Sequence, residues 1–289
     1  MKEFLKIVAA AALLALSTSL KAQVLNTLVR DVDPVAAGIA GAGVAMQSNA
    51  YSLDNNPAAM SLSTSKISLA AGYTILQPSS VKMGALSFSS LFKLSEKLAL
   101  GAGIKRGTYN PYPITSEEGR STAEFTPSEL SLSLGGSYLI LKGLSAGVKL
   151  NYASIGLSPD SKYNVFSGDL GLTYATESLT VAANARNLGS QLMDLRAGAS
   201  YSFSSLTAYA QGEYLAGAGL MGALGLQYAF KDLLFVRAGG HLGNAEKAIP
   251  SYASLGLGAK IKGITFDAAI LLGAKSESGT LLFSAGYSF

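Results

Sequence analysis

Residue types that commonly carry catalysis or bind metal ions are scarce in this sequence. It contains one histidine, His241, and no cysteine. A hydrolytic Ser–His–acid set or a His–Asp pair would need an acidic residue beside His241, and none adjoins it in sequence. One histidine without cysteine is also a poor basis for a metal site. We therefore predict that the protein is not an enzyme and has no metal ion or cofactor. His241 is interpreted as an inward-facing residue satisfied by a hydrogen bond.

Charged side chains are the second group of candidates. They make up 14% of the chain, whereas soluble domains average roughly 25%. The residues expected to point inward are Lys149, Asp169, Arg186, Arg196, Arg237 and Asp267, together with Lys105, Glu129, Glu213 and Lys260. An interior charge in a membrane protein must pair or stay hydrated. These residues therefore predict either an ion-pair lattice that fixes an internal plug or a selectivity path for a polar or amphipathic solute.

The elements that would position these charges are strands rather than helices. Beyond residue 22 the chain has no apolar run near the ~18 residues that mark a transmembrane helix. A closed β-barrel is the membrane architecture that remains, because it pairs every backbone polar group between strands. The alternative is a soluble all-β protein buried on both faces.

Side-chain alternation decides between these two architectures. In residues 179–186, apolar positions alternate with threonine, alanine, asparagine and arginine, and 144–153 and 264–272 alternate in the same way. A soluble sandwich would carry many lysines and glutamates on its polar face. Here that face is mostly serine, threonine, glycine and alanine, which suits a barrel lumen.

Turn signals give the strand count. Short polar turns are expected at 95–97, 142–143, 177–178, 204–205, 231–232 and 262–263, and longer connections at 77–82, 107–127, 156–162, 188–193, 215–219, 243–250 and 274–279. Together they divide residues 66–289 into fourteen strands of about ten residues, enough to cross a bilayer when tilted. Short turns belong on the periplasmic side of such barrels, so an even strand count predicts that both termini are periplasmic.

The first 22 residues have the layout of a secretory signal peptide. Lys2 and Lys6 precede an apolar run at 7–16, and small residues lead to a cleavage point after Ala22. An N-terminal membrane anchor is the alternative. Removing this segment lowers the formal net charge below +4, and such a near-balance argues against a nucleic-acid-binding protein.

Residues 23–65 do not alternate and form a separate unit. Gly38, Gly41 and Gly43 lack the final glycine and the strand context of a dinucleotide-binding fingerprint. Pro57 after Asn56 suits a capped helical turn. An apolar, glycine-rich tail would expose a large patch if it were free, so we predict a compact plug inside or beneath the barrel.

The plug segment resembles a known family. The run Ala-Gly-Ile-Ala-Gly-Ala-Gly-Val-Ala-Met at 37–46, followed by Asn56-Pro57-Ala58, is similar to the N-terminal hatch of FadL-like outer-membrane barrels. Within that superfamily it is nearer to the PorV/PorQ group of Bacteroidota. The resemblance implies a hatch motif of Gly41, Gly43, Asn56, Pro57 and Ala58. The motif is usually Asn-Pro-Ala-Gly in this family and is Asn-Pro-Ala-Ala here, so the hatch turn need not match the family in detail.

The resemblance implies two functions. In the first, the chain is an accessory barrel in the outer membrane of a Gram-negative, Bacteroidota-like cell. This barrel would bind proteins of the type IX secretion machinery or of a related surface pathway. The second is a FadL-like transporter of hydrophobic small molecules, in which the hatch gates a lumen that opens sideways into the lipid. The transporter predicts a kink or gap in the barrel wall.

Overall fold

The computed structural model describes residues 31–76, 83–115, 121–190, 192–244, 250–273 and 279–289. The predicted signal peptide, residues 1–22, lies outside this part of the chain. In the described ranges no helix has both the length and the apolar character needed to cross a bilayer.

Antiparallel strands form most of the described chain. The strands are β1 (Ile67–Leu76), β2 (Met83–Lys93), β3 (Leu98–Tyr109), β4 (Tyr112–Thr115), β5 (Ser121–Phe125), β6 (Ser128–Leu141), β7 (Leu144–Ser158), β8 (Ser161–Ala175), β9 (Leu179–Leu188), β10 (Asp194–Phe203), β11 (Leu206–Leu215), β12 (Gly219–Phe230), β13 (Leu234–Leu242), β14 (Tyr252–Ile261), β15 (Ile264–Gly273) and β16 (Thr280–Ser288). Within the described residues, fourteen of them close into one barrel, in which β16 pairs with β1. The strands β4 and β5 form a separate hairpin between β3 and β6. The predicted fourteen-stranded barrel is confirmed.

The six predicted short turns all join neighbouring barrel strands. Several use left-handed backbone, with φ of 53° at Ser204 and 50° at Lys262, as tight hairpins require. The longer connection predicted at 156–162 is wrong, because β7 runs to Ser158 and β8 begins at Ser161. The small residues near this turn resemble a loop in sequence, but the two strands continue to pair there.

The two faces of the barrel differ as the alternation predicts. On β9, Leu179 and Val181 are exposed on the outside, whereas Asn184 and Arg186 are buried inside. Exposed aromatic side chains lie near the end of the barrel that carries the short turns: Phe92, Tyr138, Tyr174, Tyr201, Phe203, Tyr228 and Phe230. An apolar outer band with aromatic rings near its rim is typical of barrels in membranes.

Residues 31–65, here called the inner segment, contain short helices. They are α1 (Pro34–Gly38), α2 (Ser52–Asn55) and a 3₁₀ helix (Pro57–Leu62). Asp33 caps α1 by accepting a hydrogen bond from the Val35 backbone N–H at 2.9 Å, the arrangement that N-cap aspartates favour. Proline occupies the first position of α1 and of the 3₁₀ helix, where its missing N–H costs nothing.

The inner segment packs inside the barrel. Ile39 belongs to an apolar cluster with Tyr209, whose side chain points inward from β11. Leu53 and Met60 pack in the same way against Leu91. All of these side chains are nearly fully buried, so the inner segment and the inner faces of the strands share one core.

Candidate functional site

The Asn56-Pro57-Ala58 turn fixes the inner segment to β8. The Asn56 Nδ2 atom donates to the Val44 carbonyl at 3.0 Å and to the Thr173 hydroxyl at 2.9 Å. The Asn56 Oδ1 atom accepts from the Ala58 N–H at 3.0 Å. Both ends of this amide are therefore used, which explains why an asparagine stands there.

Two wall glycines make room for this turn. A Cβ atom at Gly147 of β7 would overlap the backbone of Pro57 and Ala58, and one at Gly171 of β8 would overlap the Asn56 side-chain oxygen. Ala58 is 0% exposed. The wall therefore lacks side chains at the points where the turn touches it, and this complementarity joins residues that are far apart in sequence.

The two predicted hatch glycines lie elsewhere in the inner segment. Gly41 adopts φ +81°, and a Cβ atom there would lie 3.2 Å from the Asp31 carboxylate and 3.4 Å from the Tyr252 hydroxyl. A Cβ atom at Gly43 would lie 3.1 Å from that of Ala36. Gly41 therefore lies near β14, Gly43 lies within the inner segment between Ala36 and Asn55, and the Asn56-Pro57-Ala58 turn lies against β7 and β8.

A carboxylate of the inner segment joins two lysines of the wall. The Asp54 Oδ1 atom lies 3.1 Å from the Lys105 ammonium and 3.2 Å from that of Lys149. Lys149 also lies 2.9 Å from Asp169. All four residues are buried. Burial opposes ionisation of Asp54, but the two ammonium groups outweigh it and hold the pKa of the carboxyl well below its usual range.

A second ion-pair group surrounds Arg196 on β10. The Arg196 Nε atom lies 2.8 Å from Asp194 and 3.3 Å from Glu213, and its Nη1 atom lies 3.7 Å from Asp31. Arg186 joins this group at 3.5 Å from Asp194. The group therefore links three wall strands to the start of the described inner segment.

A third ion pair lies next to α1. The Arg237 Nη1 atom lies 2.7 Å from Asp267, and its Nε atom donates to Gln227 at 2.7 Å. The side chain of Arg237 lies against Gly38, where a Cβ atom would come within 3.3 Å of it. The aliphatic part of Arg237 therefore packs against α1, and its guanidinium group lies beside Gly258 of β14.

The six charges predicted as site residues thus point inward and separate into these three groups, which Lys105 and Glu213 join. Lys260, predicted to face inward with them, has an exposed side chain near the end of β14. Sequence reasoning did not identify Asp54 and Asp194 as partners. Asp194 lies two residues before Arg196 on the same strand. Because residues two apart share one face of a strand, the sequence could have shown that Asp194 also points inward.

Asp33 is the one carboxyl group of residues 31–65 that belongs to none of these three groups. It accepts hydrogen bonds from Asn49 at 2.8 Å and Asn55 at 2.7 Å, as well as from the Val35 backbone. Burial nevertheless raises the pKa of Asp33 to about 6, because these hydrogen bonds only partly offset the loss of water.

His241 is buried on β13, and its ring stacks on that of Tyr252 at 4.9 Å with an interplanar angle of 12°. The structure thus gives His241 an aromatic partner where the sequence analysis expects a hydrogen bond. The contact is one of packing.

The wall is irregular between β8 and β9. Gly168 pairs with Leu188 and Leu170 pairs with Ala185, so Asp169 faces two residues of β9 instead of one. This is a β-bulge. Asn187 adopts φ 52° within it, and its backbone N–H donates to Asp169 at 2.8 Å.

Beyond the bulge, the described part of β8 loses its partner on one side. Residues 161–167 pair with β7, while the ladder with β9 ends at Gly168. The ladder between β8 and β9 is therefore interrupted at the bulge, and β8 continues past the end of that ladder on the side away from the short turns. The bulge is a kink of the kind that a transporter of this type is expected to have.

Solved structures with this architecture are known, although their sequences have diverged. The CymD monoaromatic hydrocarbon channel is similar with a TM-score of 0.66 and 17% identity, over 89% of this chain and 97% of that one. The Pseudomonas putida toluene transporter TodX gives 0.64 and 12%, over 88% and 96%. A Pseudomonas aeruginosa FadL homologue gives 0.59 and 12%, over 91% and 99%.

No protein-family model and no curated protein sequence matches the chain. The structural neighbours establish the fold alone, a closed β-barrel. They do not bear on the narrower resemblance to the PorV/PorQ group.

Proposed function

We propose that this chain is an outer-membrane transporter that passes hydrophobic small molecules through the barrel wall. The observation that carries the proposal is the interruption between β8 and β9 at Asn187. In this proposal a hydrophobic molecule crosses the wall beside this bulge and reaches the interior that the inner segment occupies.

The outer surface supports a membrane location. Its exposed side chains include Leu134, Leu220 and Phe166, at 67%, 82% and 72% exposure. Such a surface is unfavourable in water and favourable in hydrocarbon. The aromatic residues near the short turns suit a headgroup boundary. Short turns are typical of the periplasmic side of such barrels, which supports a periplasmic position for these turns, for the start of β1 and for the end of β16.

The inner segment acts as the plug in this proposal. Its Asn56-Pro57-Ala58 turn is fixed to β7 and β8, the hairpin that borders the interruption. Asp54 and the Lys149–Asp169 pair continue this attachment to the bulge, since Asp169 also binds Asn187. A molecule entering there therefore meets a part of the plug that hydrogen bonds and ion pairs hold to the wall.

The ion-pair groups hold the plug, and we assign no solute path to them. In each group the charges are matched within 4 Å by opposite charges. A polar solute would have to displace these partners, which is costly in a buried setting. Hydrophobic molecules need no such exchange, and two of the structural neighbours are described as a monoaromatic hydrocarbon channel and a toluene transporter.

Uptake measurements test the proposal. Cells that produce the chain in their outer membrane would be given radiolabelled toluene and, separately, a labelled sugar. We expect toluene to enter several-fold faster than in cells without the chain, while sugar entry stays unchanged. Equal toluene entry in both cell types would refute transport, and a parallel rise in sugar entry would indicate an open pore.

The accessory role in protein secretion stays a prediction from the PorV/PorQ resemblance. A pull-down from native outer membranes followed by mass spectrometry tests it separately. Recovery of large secretion components would favour that role, and a chain recovered alone would count against it.

A further inference from the structure

A groove of about 810 Å³ crosses the outer surface of the barrel from β13 to β2. Its lining combines small outward-facing residues with large apolar ones, whose exposure ranges from 40% at Tyr73 to 63% at Leu257. The small ones are Ala71, Ala259, Ala268 and Ala285, and the large ones include Leu86, Leu234, Phe266 and Phe283. The groove is therefore apolar and open to the medium that surrounds the barrel.

One end of the groove lies at the short turns. Leu234 and Ala259 pair there, and Leu234 is the first residue of β13. From these residues the groove continues over β15, β16 and β1 to Leu86, in the half of β2 away from the short turns. Five inter-strand spacings of about 4.8 Å give it a length of about 24 Å. This length suits an extended acyl chain that starts at the headgroup level of the proposed membrane position.

Three lysines surround this end of the groove. Lys231 and Lys262 lie in the turns before β13 and after β14, and Lys260 lies on β14 between them. The Lys231 ammonium lies 5.5 Å from the centroid of the outward-facing Phe230 ring, so it is on the lipid side. Among the described residues, none of the three lysines forms an ion pair, and Asp232 is the one acidic residue of the two turns. This end of the groove therefore carries an excess of positive charge.

We propose that the groove binds an acyl chain of an anionic phospholipid, with the phosphate between Lys231 and Lys262. The two turns are two strand spacings apart, about 10 Å, so both flexible side chains can reach one phosphate. Cations at a membrane surface attract anionic headgroups, and the groove adds apolar contact with the chain. A second copy fits less well, because a two-fold axis along the membrane normal would bring the same lysines together at one depth. The proposal requires the outer surface to lie in lipid and does not depend on what crosses the barrel.

The absence of tryptophan from the chain makes a fluorescence test direct. Phe266→Trp places one tryptophan in the groove. Tyr201→Trp places one outside it at a similar depth, since each position lies two residues from the end of its strand nearest the short turns. The full-length variants would be folded into phosphatidylcholine vesicles that contain a minor fraction of brominated phosphatidylglycerol or, separately, of brominated phosphatidylcholine. We expect brominated phosphatidylglycerol to quench Phe266→Trp several-fold more than brominated phosphatidylcholine does, with no such preference at Tyr201→Trp.

Lysine variants identify the headgroup contact, and heat-dependent mobility on gels identifies the folded barrels. Adding Lys231→Gln and Lys262→Gln to Phe266→Trp should remove the preference for phosphatidylglycerol. The control is Lys142→Gln, in the turn between β6 and β7 on the opposite side of the barrel, which should keep the preference. Equal quenching of Phe266→Trp by the two lipids would overturn the proposal, as would a preference that survives the loss of both lysines. Weak quenching by both lipids would also overturn it and indicate that a second copy covers the groove.

Discussion

The Asp54 carboxylate lies 3.2 Å from the Lys149 ammonium, although 95 positions separate the two residues in sequence. One belongs to the inner segment and the other to β7. The same carboxylate oxygen lies 3.1 Å from Lys105 on β3. A single acidic group therefore ties the inner segment to strands β3 and β7, which are not adjacent in the barrel.

Removing the Asp54 charge should destabilise the barrel strongly. In Asp54→Asn, Lys149 keeps Asp169, but Lys105 is left buried with its described ion partner gone. Breaking a buried pair on one side costs roughly 3–5 kcal/mol. The free energy of unfolding in detergent, measured with urea, checks this loss.

The double variant Asp54→Asn with Lys105→Met provides the control. Removing both charges should recover part of the loss, because no buried cation is left without an anion. A single Asp54→Asn variant as stable as the natural chain would show that the bridge contributes nothing. The exposed Asp160→Asn, on the turn between β7 and β8, should have no effect.

The close approach of Gly147 to the Asn56-Pro57-Ala58 turn gives a steric prediction. In Gly147→Ala the new Cβ atom would overlap backbone atoms of Pro57 and Ala58, so the turn must shift. Overpacking of this kind costs typically 1–3 kcal/mol. The control is Gly212→Ala on β11, where a Cβ atom meets nothing within 4 Å. Equal unfolding free energies for the two variants would contradict the contact.

The sequence could predict the features that depend on local patterns, namely the inward-facing charges and the strand boundaries. Side chains alternate between the two faces of a strand, and this alternation places Lys149, Asp169 and Arg196 on the inner face without any knowledge of the partner strands. Polar turns with left-handed residues, such as Ser204 and Lys262, divide the strands correctly. Each of these features is set within a few residues.

The sequence could not predict contacts between residues that are far apart along the chain. The pairing of Asp54 with Lys105 depends on how the inner segment threads the closed barrel, and no local pattern encodes that path. The bulge at Asn187 had one weak signal, since asparagine adopts positive φ more readily than most residues. Gly147 and Gly171 are needed only because the turn at Pro57 reaches the wall there.

The raised pKa of Asp33 predicts a pH dependence. Because its pKa is about 6 in the folded chain and 3.8 is the ordinary value, the folded state binds the proton more tightly than the unfolded state does. The stability contributed by Asp33 is therefore fully present below pH 3.8 and is lost as pH rises through about 6. The loss amounts to roughly 3 kcal/mol.

The variant Asp33→Asn isolates this effect, since other groups also titrate. Unfolding free energies of the natural chain and the variant, compared at about pH 4 and about pH 7, should differ in slope. The natural chain should lose more stability than Asp33→Asn as pH rises, whatever the absolute stability of the variant. Parallel slopes would show that Asp33 does not titrate in this range.

Deletion of Asn187 tests whether the wall interruption serves transport. The bulge exists because Asp169 faces both Arg186 and Asn187, so removing one residue restores a one-to-one register between β8 and β9. Gly168 already pairs with Leu188, so the deletion leaves that pair in place, removes the kink at Asp169 and makes the wall a regular ladder up to that pair. We expect toluene uptake to fall several-fold while the barrel stays folded, as judged by heat-dependent mobility on gels. The control is Asn187→Gly, which keeps the bulge and its left-handed backbone and should transport normally. Unchanged uptake in the deletion variant would mean that the route lies elsewhere in the barrel.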